Sequence, residues 1–123
     1  MQDMIRVAVD AMGGDNAPDE IIKGAMEAVA LREDIQVLLV GKEELIREKL
    51  KGYSYREQQV EVVNATEVIE TAEPPGAAIR TKKDSSIVVG LKLVKEEKAD
   101  AFVSAGSSGA VLAGGQLLVG RIK

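Results

Sequence analysis

The chain has 123 residues, with 16 basic and 20 acidic side chains, a net charge of −4 and 46% apolar residues. That balance excludes a disordered tail and makes one domain the expected count. With no cysteine and no histidine, disulfide scaffolds, thiol nucleophiles, Cys- or His-ligated metals and a Ser-His-Asp triad are excluded. Any chemistry falls to carboxylates, lysine, arginine, hydroxyls and backbone N–H groups.

Met4-Ile5-Arg6-Val7-Ala8-Val9 is a short β-branched apolar run, and Asp10 and Gly13-Gly14 end it. Pro18 with Asp19 and Glu20 behind it reads as a helix start, since acids favour the first turn. Ile22, Ala25, Met26 and Val29 then recur at helical spacing. Ile35 to Val40 is a second strand, and Gly41 ends it. Leu45, Ile46 and Leu50 line a second helix, with Glu43 and Arg47 placed to pair at i,i+4. Val60-Glu61-Val62-Val63 is a third strand. Glu73-Pro74-Pro75-Gly76 reads as a rigid break. Ile87, Val88, Leu91, Leu93 and Val94 predict a helix opened by Ser85 or Ser86, both good capping types. Ala101-Phe102-Val103-Ser104 is a fourth short strand. Gly106-Ser107-Ser108-Gly109 follows, and then Ala110 to Val119, apolar on nearly every side.

Near-continuous apolar strands alternating with helices predict an α/β fold with a mostly parallel sheet covered on both faces and joined by right-handed crossovers. A final helix apolar all round needs cover on its second side. Either another subunit supplies it, or the chain is part of a longer protein. The N-terminus lacks the pattern of a signal peptide, and no apolar run is long enough to span a membrane. A cytoplasmic protein is the expectation. Residues 1–73 carry 8 basic and 16 acidic groups, whereas residues 74–123 carry 8 basic and 4 acidic groups. The acidic part is a poor nucleic-acid binder, and three aromatic residues leave little for base stacking. The basic part suits a small anion or an acidic partner, or is simply a solvated face.

Two glycine-rich turns each follow a strand and precede a helix: Asp10 to Asn16, and Ser104 to Gly109. In open α/β sheets, ligands sit beyond the carboxyl ends of strands, where such turns lie. Glycines let the backbone approach an anion, and a helix start offers unpaired N–H groups. Neither turn matches the dinucleotide fingerprint or the phosphate loop that ends in Lys-Ser/Thr, and plain turn geometry is the competing reading. Ser104 is not a hydrolase nucleophile elbow, because Phe102 stands where a glycine is needed. Asp10 and Asp15 could bind a metal, orient a cation or bond a substrate hydroxyl. They could equally make an Asx-turn and a helix cap. Arg80, Lys82 and Lys83, just before Ser85-Ser86, form a candidate phosphate or acidic-partner site, or else a solvated loop.

Asp10 to Pro18, then Pro74 to Ser86, then Ala101 to Gly106, together resemble the PlsX family, the phosphate acyltransferases of bacterial phospholipid synthesis. The resemblance runs in order along the whole chain. It implies a Rossmann-like three-layer α/β/α sandwich, of which residues 1–123 would be the N-terminal part of a single acyltransferase domain. It further implies transfer of a fatty acyl group from acyl carrier protein to inorganic phosphate; no residue is assigned to a metal and no cofactor is expected. A homodimer loosely associated with the inner membrane face is implied, as is a downstream glycerol-3-phosphate acyltransferase. This chain has Ser107-Ser108 where the family usually reads Asn-Thr. On this basis Asp10, Asp15 and Lys83 are the candidate catalytic residues. The candidate phosphate and substrate ligands are Gly13, Gly14, Asn16, Arg80, Lys82, Lys83, Ser85, Ser86, Ser104, Gly106, Ser107, Ser108 and Gly109. Phosphate acetyltransferase-like short-chain acyl transfer between phosphate and coenzyme A, and a non-catalytic anion-binding module, are the alternatives.

Overall fold

Strand and helix alternate as the apolar periodicities require. The computed structural model describes residues 4–14, 17–69 and 74–104. The elements are β1 (Ile5–Asp10), α1 (Asp19–Leu31), β2 (Ile35–Gly41), α2 (Glu43–Leu50), β3 (Val60–Asn64), α3 (Pro75–Thr81), α4 (Ser86–Lys95) and β4 (Ala101–Val103). A single 3-10 turn, Glu57–Gln59, leads into β3. The strands form one four-stranded sheet in the order β3-β2-β1-β4, and every pairing is parallel.

Side chains alternate across the sheet, so each strand feeds two cores. On one face Val37 and Leu39 of β2 meet Ile22, Ala25, Met26 and Val29 of α1 and Ile46 and Leu50 of α2. On the other, Ala8, Leu38 and Val40 pack against Leu93 of α4 and Ala65 and Ala99. Ile69, Ala78 and Ile79 close a third cluster with Ile87, Val88 and Leu91, against which Phe102 rests. Ile22, Leu39 and Ile46 are wholly buried, each worth about 1.5–3 kcal/mol of transfer free energy. The result is three layers, with α1 and α2 on one face and α3 and α4 on the other. From β1 the chain steps outward to β2 and β3, then returns across the sheet to place β4 on the far side of β1. Because the direction of travel and the covering face reverse together, the hand of the crossovers is preserved.

The Pro74-Pro75-Gly76 stretch is more than a break: Pro75 is the first residue of α3. Proline suits that position, since its missing N–H would have no intrahelical partner and its φ is already helical. Two other local features set the position of β4. A Cβ at Gly90 would collide with the edge of the Phe102 ring, so only glycine lets α4 pass this close to the strand. After α4, Glu97 takes a left-handed φ of 61°, while the N–H groups of Glu97 and Lys98 donate to the carbonyls of Val94 and Leu93. This helix stop usually employs glycine. It turns the chain toward β4, where the Arg6 and Asp100 side chains pair at 3.2 Å beside the start of β1.

Candidate functional site

Where the order of strands reverses, the loops leaving two neighbouring strands diverge and open a crevice at their carboxyl ends. Here the reversal falls between β1 and β4. Asp10 ends β1, Ser104 follows β4, and the Ser104 hydroxyl donates to Asp10 Oδ2 at 2.7 Å. The other carboxylate oxygen, Oδ1, accepts the Met12 backbone N–H at 3.0 Å. Asp10 is 1% exposed, so both oxygens need such donors to offset their lost hydration. The Asx-turn reading of Asp10 therefore holds, and the tertiary bond to Ser104 is added to it.

The loop after β1 is shaped around this carboxylate. The N–H of Ala11 continues the ladder onto Val40 O at 2.9 Å, and Met12 crosses over the end of β2. There a Cβ on Gly41 would lie 2.7 Å from Met12 Cγ, so any larger residue would push the Met12 side chain aside. Gly13 is buried and Gly14 is exposed with a φ of 91°, a left-handed conformation that favours glycine. Pro18 holds the N-cap position of α1, with no side-chain cap. Asp15, Asn16, Gly106, Ser107, Ser108, Gly109 and the apolar stretch from Ala110 to Val119 lie outside the described residues.

The basic cluster stands on the same face and at the same end of the sheet. Ala8 and Phe102 are register partners on the face covered by α4, and two-residue periodicity carries that face to Asp10 and Ser104. Helix α4 begins beside Glu67, just past the end of β3, and finishes before β4, so its N-terminus also lies at the carboxyl end of the sheet. Ser85 is its N-cap, wholly buried, and its hydroxyl accepts the Val88 N–H at 3.2 Å. Ser86 is buried as well and donates its N–H to Glu67 O. Arg80 is exposed in the last turn of α3. Lys82 is half-buried and donates from Nζ to Val68 O at 2.8 Å, while Lys83 is exposed. The three cations thus take different stations: one at a helix end, one tying down a loop, one facing solvent.

Two residues escaped the reading of the sequence. Thr66 donates both its N–H and its hydroxyl to Asp84 Oδ2, at 2.9 and 2.5 Å, and these bonds hold the Asp84 carboxyl below the usual carboxylate range. The Glu67 side chain accepts the Asp84 N–H at 3.2 Å, and the Glu67 N–H returns to Asp84 O. Residues 65–69 are thereby stapled to the loop that carries Lys82 and Lys83. A hydroxyl and a carboxylate just beyond a strand end were the available signal. Among the described residues no three acidic side chains cluster as a metal site would require. No helix among them is long and apolar enough to cross a membrane.

Residues 5–123 match the family described as "Fatty acid synthesis protein". The phosphate acyltransferase of Thermoanaerobacter pseudethanolicus is 53% identical over 119 residues, which cover 97% of this chain and 35% of the relative. That of Syntrophomonas wolfei is 54% identical over 97% of this chain and 37% of the relative, and that of Dictyoglomus turgidum 51% over 97% and 35%. This chain spans about a third of the length of these relatives. With the family match covering nearly the whole chain and relatives at half identity, the chain belongs to the PlsX family of phosphate acyltransferases.

Proposed function

We propose that the protein transfers a fatty acyl group from acyl carrier protein to inorganic phosphate, and that this chain supplies the part that holds phosphate. A phosphate oxygen attacks the thioester carbonyl carbon, a tetrahedral oxyanion forms, the C–S bond breaks, and the departing thiolate takes up a proton. Phosphate is already anionic at neutral pH, so no side chain has to generate the nucleophile. Catalysis then rests on positioning the two reactants and stabilising the oxyanion, which suits a chain with no histidine or cysteine.

The observation that carries this reading is the Ser104–Asp10 bond across the strand reversal, on the face and end of the sheet where the Lys82–Lys83 loop is anchored. Asp10 orients the Ser104 hydroxyl and the loop through Gly13 and Gly14, and Lys83 supplies positive charge. By the same reading the protein is a homodimer at the inner membrane face, and a glycerol-3-phosphate acyltransferase consumes the acyl phosphate.

The test is phosphate-dependent loss of acyl carrier protein thioester by the intact protein, with one acyl phosphate formed per thiol released. A short-chain coenzyme A thioester should compete poorly. Preferential use of that donor would reassign the substrate to short-chain acyl transfer. No thioester loss at all would leave a non-catalytic anion-binding module, and loss independent of phosphate would mean hydrolysis and overturn phosphate as the acceptor.

A further inference from the structure

Lys83 has an acidic residue as its immediate neighbour in sequence and a second one close in space, yet takes part in no ion pair among the described residues. The geometry around it gives the reason. Asp84 Oδ2 is taken by the two Thr66 donors, and Glu67 Oε1 is taken by the Asp84 backbone N–H. An exposed Lys–Asp pair is worth at most about 1 kcal/mol. Hydrogen bonds to a carboxylate from donors fixed by the backbone compete well against it. Both acids are thus turned into the staple, and the ammonium is left facing solvent.

We propose that Thr66 is a positioning residue for this site: by holding the Asp84 carboxylate, it keeps the Lys83 charge uncompensated and available to a phosphate dianion. The proposal rests on the phosphate-holding role of Lys83, and goes beyond it by assigning work to a residue that touches no substrate. Thr66→Val keeps the shape and the backbone N–H but removes the hydroxyl donor. Asp84 Oδ2 then keeps only the Thr66 backbone N–H, and the carboxylate is less firmly held away from Lys83.

In the intact protein, Thr66→Val should raise the KM for phosphate about three- to fivefold, the size of an exposed charge pair, and leave the KM for the thioester unchanged. Thr66→Ser should restore the wild-type value. In a Lys83→Gln background the Thr66→Val effect should vanish, because the charge it acts through is gone. An equal shift in both backgrounds, or a lowered melting temperature with an unchanged phosphate KM, would overturn the proposal. The phosphate-induced rise in melting temperature of the same proteins carries the same comparison without turnover. If the wild type shows that rise but no phosphate-dependent transfer, the proposed reaction fails and the positioning role is still decided by the variants. If phosphate gives no rise in the wild type, the positioning role falls.

Discussion

Among the described residues, two aspartates accept a hydroxyl from a distant residue, and they do so in opposite surroundings. Asp10 takes Ser104, 94 residues away, inside the protein at 1% exposure. Asp84 takes Thr66, 18 residues away, at the surface. The chemistry is the same, but the consequence of losing it is not. Water replaces a missing partner at Asp84, whereas at Asp10 nothing does, so losing the buried pair costs far more stability than losing the exposed one.

Asp10→Ala should have the largest effect, about 3 kcal/mol lost, because the Met12 N–H and the Ser104 hydroxyl both lose their acceptor in a dry place. Urea denaturation of the intact protein measures it, and a loss below about 1 kcal/mol would mean water reaches the site. Ser104→Ala should cost about 1–2 kcal/mol, since the Asx-turn at Met12 survives and one carboxylate oxygen is left without its donor. The two variants share one interaction, so their combined cost should fall well short of the sum. Asp84→Asn should cost less than about 1 kcal/mol near neutrality, as exposed polar contacts do.

Acid sharpens the contrast further. The Thr66 hydrogen bonds hold the Asp84 carboxyl below its ordinary range, so the folded state binds its proton less readily than the unfolded chain. That contribution is complete above the unfolded value of about 3.9 and is lost as pH falls through the lowered folded value. Asp100, held down by the Arg6 backbone N–H and guanidinium, and Asp34, held down by Arg32, act in the same sense. Melting temperatures of wild type and Asp84→Asn should therefore converge as the pH drops below about 4. A gap that widens on acidification would contradict this sign.

Much of the fold was legible because it rests on local pattern. The β-branched runs, the helical spacing of Ile22, Ala25, Met26 and Val29, and the Glu43–Arg47 pair, seen at 2.8 Å, all follow from residues near one another in sequence. Helix α3 was hidden: seven residues opened by Pro75 carry too little periodicity to outweigh a Pro-Pro-Gly signal. Ser85 and Ser86 were visible as capping types, and the structure puts Ser85 at the cap. That the two hydroxyl-bearing residues are buried depends on residues 65–69 lying alongside, which no local pattern announces. Thr66 was missed for the same reason.

By itself the sequence determined the types of most elements, the exclusion of thiol and imidazole chemistry, and the motifs that place the chain in its family. It could do so because periodicity, composition and motif spacing are read within short windows. Only the tertiary structure decided that β4 lies against β1, on the side away from β2. Sheet order arises from the crossover that carries α3 and α4 to the opposite face, and from the cores they bury there. That placement puts the Ser104 hydroxyl 2.7 Å from Asp10 Oδ2, and ties together two strand ends that lie far apart in sequence.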